Sequence, residues 1–154
     1  MTDKRPTLQD IKSAAAIMQN HLVHTPMVRT AVMSDETGAE VFLKLENLQV
    51  TGSFKARGAM IKIASLTEAE RSAGVIAMSA GNHAQGVAYH AGRLGIPATI
   101  VMPKNTPFSK VARTESHGAT VELIGADVAE AADAAASIAQ QTGATFIHPF
   151  DDPA

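Results

Sequence analysis

The sequence predicts an α/β fold, a parallel sheet with helices packed over it in three αβα layers. Three observations lead there. From Gly74 to Phe150, four short apolar runs alternate with three helical stretches in the order β-α-β-α-β-α-β. The connections are short, which implies right-handed crossovers between parallel strands. Apolar residues make up 45% of the 154 residues and charged residues 18%, enough for a sizeable buried core.

The elements follow in order. "TLQDIKSAAAIMQN", Thr7 to Asn20, sets Leu8, Ile11, Ala15 and Met18 at helical spacing, with Thr7 as the cap. Pro26 breaks the next stretch, "HLVHTPMVRT". "AEVFLKLEN", Ala39 to Asn47, alternates Val41, Leu43 and Leu45 against Phe42, Lys44 and Glu46, the period of a strand. Ser53 to Leu66 is a predicted helix, with Gly52 in the turn and Ser53 as N-cap. Thr67 to Glu70, "TEAE", is a capping box that opens another short helix.

From Gly74 the rhythm changes. "GVIAMSA" is a strand, and "NHAQGVAYHAGRLG" is a helix ending near Gly95. "PATIVMP" is a strand, and "TPFSKVARTESHG" is a helix with Gly118 as its C′ residue. "ATVELIG" is a strand, "DVAEAADAAASIAQQTG" an Ala-rich helix capped by Asp127, and "ATFIHPF" the last strand. The closing "DDPA" covers nothing, and the opening helix and strand lack a full set of partners. The expectation is the first part of a longer architecture.

Composition narrows the function. The formal net charge is −2, from 13 basic and 15 acidic residues, and no basic run or basic, aromatic-interleaved face points to nucleic acid. There is no cysteine, so disulfides, thiolate catalysis and Cys-ligated metals are excluded. The polar start "MTDKRPTLQD" lacks the apolar heart of a signal peptide, and no run reaches the ~18 apolar residues of a membrane span. A cytoplasmic location is the expectation.

In open parallel sheets, ligands bind beyond the carboxyl ends of the strands. The first such end carries "SAGNHAQG", Ser79 to Gly86. Ser79, Gly81 and Asn82 make a small polar turn whose backbone N–H groups could seat a carboxylate or phosphate at a helix N-terminus. The same residues read equally well as a plain helix start, with Asn82 as cap and Gly81 as turn. No G-x-G-x-x-G is present, and Val87 after Gly86 rules out a Walker A loop. His83 and His90 lie seven apart on one helix face without a third ligand at metal spacing, so packing and capping explain them better than zinc.

Lys55 is the second candidate. It occupies the first turn of its helix, where the free N–H groups and the macrodipole favour anions. One reading is a solvated lysine whose stem covers Phe54. In the other, the positive helix end and nearby Arg57 both disfavour the ammonium, so the neutral amine is easier to reach. A neutral lysine amine is the nucleophile that forms Schiff bases with aldehydes.

Taken together, "TGSFKARGA" followed by "SAGNHAQGVA" resembles the fold-type II pyridoxal-phosphate enzymes, within them the threonine/serine dehydratase and serine racemase group. "HTPMVRT", "VFLKLENLQVTGSFKARGA", "MPKNTPFSKV", "GATVELIG" and "HPFDDP" extend the likeness over nearly the whole chain. The resemblance implies that Lys55 holds pyridoxal 5′-phosphate covalently, that Phe54 lies beside its ring, and that Asn82 binds its 3′ oxygen. It implies that Ser79, Ala80, Gly81 and His83, with Asn82, form the loop that receives the substrate carboxylate. Racemases of this group typically carry Ser-Ser-Gly-Asn-His, whose second serine is the acid/base opposite the lysine. Here that position is Ala80, which points to elimination.

The resemblance further implies a division. Residues 1–73 would belong to a larger domain and carry the cofactor lysine. Residues 74–150 would form the small βα domain, and 151–154 the start of a crossover back. The implied activity is that of a threonine dehydratase (ammonia-lyase), acting on an amino acid in a homo-oligomer that binds neither nucleic acid nor membrane. A serine or 3-hydroxyaspartate dehydratase, a racemase, or an inert fragment or binding module are the alternatives. The cofactor-phosphate loop and the partner of the pyridine nitrogen would lie past residue 154, so the 154 residues alone are expected to be inactive, with the Lys55 helix poorly supported.

Overall fold

A computed structural model describes residues 6–152; the polar start at 1–5 and the end of the closing segment at 153–154 lie outside the described residues. Helix α1, Leu8–Met18, opens with a capping box: the Thr7 side chain accepts from the Asp10 N–H, and the Asp10 carboxylate accepts from the Thr7 N–H. Its apolar stripe is uncovered, with Leu8 67% and Ile11 59% exposed.

Strand β1, Met27–Arg29, helix α2, Ala31–Thr37, and strand β2, Phe42–Lys44, follow. β1 and β2 pair antiparallel, with Met27 opposite Lys44. The strand expected over Ala39–Asn47 is therefore only three residues long. Hydrogen bonds that alternation cannot reveal take its ends. Ser34 Oγ accepts from the Val41 N–H at 3.0 Å, and Glu46–Leu48 closes into a 3-10 turn. α2 and β1 went unread, although Thr30 as cap and Gly38 in the left-handed region (φ +69°) are ordinary helix punctuation.

Helix α3, Lys55–Ala64, is shorter than expected. Phe54 holds the N-cap position, while Ser53 Oγ still accepts from the Lys55 N–H at 3.3 Å. Helix α4, Glu68–Ala73, starts at the expected Thr67–Glu70 capping box.

The βα series matches its reading in order and type. It comprises β3 (Val75–Met78), α5 (Asn82–Arg93), β4 (Ala98–Met102), α6 (Phe108–Glu115), β5 (Thr120–Leu123), α7 (Val128–Thr142) and β6 (Thr145–Phe146). The last strand, expected over "ATFIHPF", is only two residues long, because the segment beyond Phe146 turns away to meet α3 and α5. The four strands are parallel in the order β5-β4-β3-β6. Gly118 differs slightly: Ser116 is the C-cap of α6, so the glycine is two residues beyond it.

Strand alternation builds the three layers. Val75, Ala77, Ile100 and Met102 face Ala84, Val87, Ala88 and Ala91 of α5. Ile76 and Val101 face Ala131 and Ala135 of α7 on the other side. The first cluster also contains Ala59 and Ile63 of α3 and Leu66 just beyond it. Contrary to the expectation of poor support, α3 is thus part of the βα core. Gly86 permits the closest approach: a Cβ there would lie 3.1 Å from the Lys55 carbonyl oxygen and 3.2 Å from its carbon.

The chain lays down β3, β4 and β5 in one direction, then returns to place β6 on the other side of β3. The strand order reverses between β3 and β6, so a ligand crevice is expected at their carboxyl ends.

Candidate active site

The segments leaving β3 and β6 meet where that reversal occurs. After β3, Ser79 Oγ accepts from the Gly81 N–H at 3.1 Å and shapes the turn. Ala80 packs, partly buried, against the main core cluster. Gly81 is the N-cap of α5 and Asn82 its first helical residue, with no side-chain cap on this 12-residue helix. The cap reading of Asn82 is thereby corrected, since its side chain does not bond the helix end. α1, α4 and α7 all carry side-chain caps. The first-turn N–H groups of α5 stay open to an anion.

Lys55 lies across from β6. Its Nζ donates to the Pro149 carbonyl at 2.6 Å, 4.5 Å from the Phe150 ring centroid and 5.2 Å from that of Phe54. A carbonyl oxygen and two ring faces are partners for a cation. The role given to Arg57 from sequence is corrected here. Its Nε and Nη2 each donate to the Glu46 carboxylate at 2.8 Å, so its charge is matched by an anion. Thr25 Oγ1 adds a 2.5 Å bond to Glu46, and Lys44 Nζ donates to the Thr25 carbonyl at 2.7 Å. The bond from Arg57, more than any other influence, holds the Glu46 carboxyl down at about 2, and the same bond raises Arg57.

A cavity of about 360 Å³ opens beside Lys55, lined among others by Phe54, Lys62, His83, Phe150 and Asp152. His83 is buried, and its Nε2–H donates to the Ile147 carbonyl at 2.9 Å. Burial, above all, pushes the ring's basicity down. The structure thus gathers Lys55, Phe54 and His83 around one space. Ser79, Ala80, Gly81 and Asn82 do not line it; they form the turn that delivers His83 to it.

Several wall residues escaped the sequence reading. Pro149, Phe150 and Asp152 stand out in the sequence only within "HPFDDP"; Pro149 meets Lys55 across 94 residues, and Asp152 meets Lys62. Lys62 had a local signal, since seven residues after Lys55 it returns to the same helix face. His90 is a packing group, as expected. Its ring bonds the Ala56 backbone, its Nε2 has no partner among the described residues, and burial lowers it to about 4.

The donor set suits one kind of ligand. A primary amine at a cavity between aromatic rings, near an uncapped helix N-terminus, fits an aromatic aldehyde that carries anionic oxygens. Gly58 lines the cavity with nothing within 4 Å of where its Cβ would be, which leaves room for a ring. Among the described residues, no group of three His, Asp or Glu could hold a metal ion, and no helix is long and apolar enough to cross a membrane.

Comparison with known proteins agrees with this chemistry. The family model described as "Pyridoxal-phosphate dependent enzyme" matches residues 18–154. The L-threonine ammonia-lyase of Thermotoga maritima is 54% identical over 147 residues, covering 96% of this chain and 37% of the relative. Among solved structures, the processed form of threonine deaminase isoform 2 from Solanum lycopersicum superposes with a TM-score of 0.84 at 34% identity, covering 96% of this chain and 42% of that one. Serine racemase from Dictyostelium discoideum gives 0.86 at 36% identity, covering 95% and 48%. The chain spans less than half the length of each of these proteins.

Proposed function

Because the chain belongs to the family of pyridoxal-phosphate-dependent enzymes, we propose that the protein carrying it is a threonine ammonia-lyase. It would convert L-threonine to 2-oxobutanoate and ammonia, and L-serine to pyruvate and ammonia. The observation that carries this reading is Lys55 Nζ, a primary amine at a cavity beyond the carboxyl ends of the strands. Similarity to the Thermotoga maritima relative supports the substrate.

Lys55, Phe54 and Asn82 would hold the cofactor. Bound pyridoxal phosphate supplies an electrophilic carbonyl and a ring that takes up the charge left when an α-proton departs. Lys55 must exchange its bond to Pro149 for ligand contacts, and its freed amine is the base placed to take that proton. The open N–H groups at the start of α5 would receive the substrate carboxylate, with Ser79, Ala80, Gly81, Asn82 and His83 setting their position. His83, tied through Nε2 to Ile147, would fix the loop against β6.

The racemase neighbour favours a second reading, serine racemisation. Ala80 weighs against it, because no hydroxyl stands where a proton would be returned to the opposite face. We further propose the division at residue 73, with 74–150 as the small domain, 151–154 leading back, and a homo-oligomeric cytoplasmic enzyme. Exposed Met27, Val32 and Phe42 on the N-terminal elements support further association.

The test is Lys55→Ala in the complete enzyme. It should lose both the visible absorbance of protein-bound cofactor and 2-oxobutanoate formation. Lys55→Arg should fail equally, because a guanidinium stays protonated. Retention of either property by Lys55→Ala would remove Lys55 from this role.

A further inference from the structure

The segment leaving β6 crosses α3 as a strap with three ties to the helices and one internal bend. Ile147 O accepts from His83 at 2.9 Å, and Pro149 O accepts from Lys55 at 2.6 Å. His148 Nδ1 accepts from the backbone N–H groups of Phe150 at 3.2 Å and Asp151 at 2.8 Å, which bends the strap. Asp152 Oδ1 then meets Lys62 Nζ at 2.8 Å, with only 17% and 20% of these side chains exposed. Seven residues along a helix are about 10.5 Å. That separates Lys55 from Lys62 on one face of α3, and the strap meets both, at Pro149 and at Asp152. The strap and α3, with His83 of α5, line the open cavity beside Lys55.

We propose that the Lys62–Asp152 ion pair is a clasp that sets the strap along α3 and so positions the Lys55 amine against Pro149 in the cofactor-free protein. Both are positioning residues for Lys55. His83 anchors one end of the strap, and the ion pair anchors the other. With the ion pair lost, that end of the strap is held less firmly, the Pro149 carbonyl leaves Lys55 more often, and the amine is more open to solvent. The significance of that amine rests on the function proposed above, but the clasp is tested separately.

The experiment labels the cofactor-free complete protein by reductive methylation with formaldehyde and a borane reductant. Mass spectrometry follows Lys55 against exposed Lys104 as internal reference. Lys62→Met and Asp152→Asn should each speed Lys55 labelling about three- to tenfold relative to Lys104, the range for a partly buried pair. Lys62→Arg keeps the cation and should stay within about twofold of wild type. The reversed pair, Lys62→Asp with Asp152→Lys, should restore most of the protection. Should a single variant fail to fold, the reversed pair decides alone. Unchanged Lys55 labelling in the single variants, or equal acceleration in Lys62→Arg and Lys62→Met, would overturn the clasp. So would a reversed pair labelled at an unprotected rate. Failure of the functional reading looks different: Lys55→Ala would retain bound-cofactor absorbance whatever the labelling rates.

Discussion

Replacing Glu46 with Gln tests the cluster that holds the first turn of α3. Gln keeps the shape and one acceptor but leaves the Arg57 guanidinium without its anion, at 31% side-chain exposure. The Glu46 carboxyl lies at about 2 against an ordinary 4.5. At 1.36 kcal/mol per pH unit, that difference is worth at most ~3.4 kcal/mol. Partial exposure of both partners brings the expected loss to about 2 kcal/mol at pH 7. For a chain of this size, that is a fall in melting temperature of roughly 4–8 °C. The folded value is depressed, so the stabilisation is complete above pH 4.5 and is lost as pH falls through about 2. The gap between wild type and Glu46→Gln should therefore narrow steadily across that window. Urea unfolding followed by circular dichroism at pH 7, 4 and 3 measures it. A gap independent of pH, or under ~0.5 kcal/mol at pH 7, would refute the assignment of Glu46 as the charged anchor of Arg57.

Three further substitutions have expected outcomes. Buried His90 is lowered from 6.5 to about 4, so its neutral form stabilises the fold above pH 6.5 and that contribution is lost towards pH 4. His90→Leu should flatten the decline in unfolding free energy over that window by up to about 3 kcal/mol, with buried His83 leaving a residual slope in the variant. Gly86→Ala gains about 1 kcal/mol of helix propensity but pushes a methyl to 3.1 Å from Lys55 O. Overpacking costs about 1–3 kcal/mol, so a net loss of up to ~2 kcal/mol is expected in thermal melts, with weaker cofactor absorbance in the complete enzyme. Ala80→Ser should raise racemisation relative to dehydration, read by chiral analysis of recovered serine. No added D-serine would assign the partition to other residues.

What was legible from sequence follows from the range of the interactions involved. The βα series was readable because each strand and helix announces itself within a few residues. The caps at Thr7 and Asp127 and the capping box at Thr67 are signals within one helical turn, and all formed. The strand around Phe42 was overextended because Ser34, seven residues before Val41, takes the strand's end into a turn. Arg57 was misjudged for the same reason. Two residues from Lys55 in sequence, it is bound to Glu46 eleven residues back, so proximity along the chain mistook its electrostatic role. Motif likeness marked Lys55 and His83, and both line the cavity, but spacing alone could not join them to Pro149 and Asp152.

The placement of Lys55 depends on α3 being held from three directions. Its buried face, Ala56, Ala59, Met60 and Ile63, turns inward, and Ala59 and Ile63 join the core beneath the parallel sheet. Its first turn is pressed against α5 at Gly86, where a Cβ would sit only 3.1 Å from the Lys55 carbonyl oxygen. Arg57 ties the same turn to Glu46 through two charged hydrogen bonds, and Glu46 is held in turn by the Thr25 hydroxyl. Apolar burial sets the depth of the helix but not its rotation, because burial is non-directional. The directional bonds of Arg57 and the close glycine contact supply that rotation. Together they aim a flexible four-carbon lysine stem at the carboxyl ends of β3 and β6, where the reversal of strand order opens a crevice. A helix anchored only by its core face would leave the amine free to sweep the cavity. The ties of Arg57, Gly86 and the strap turn a mobile side chain into one with a defined position.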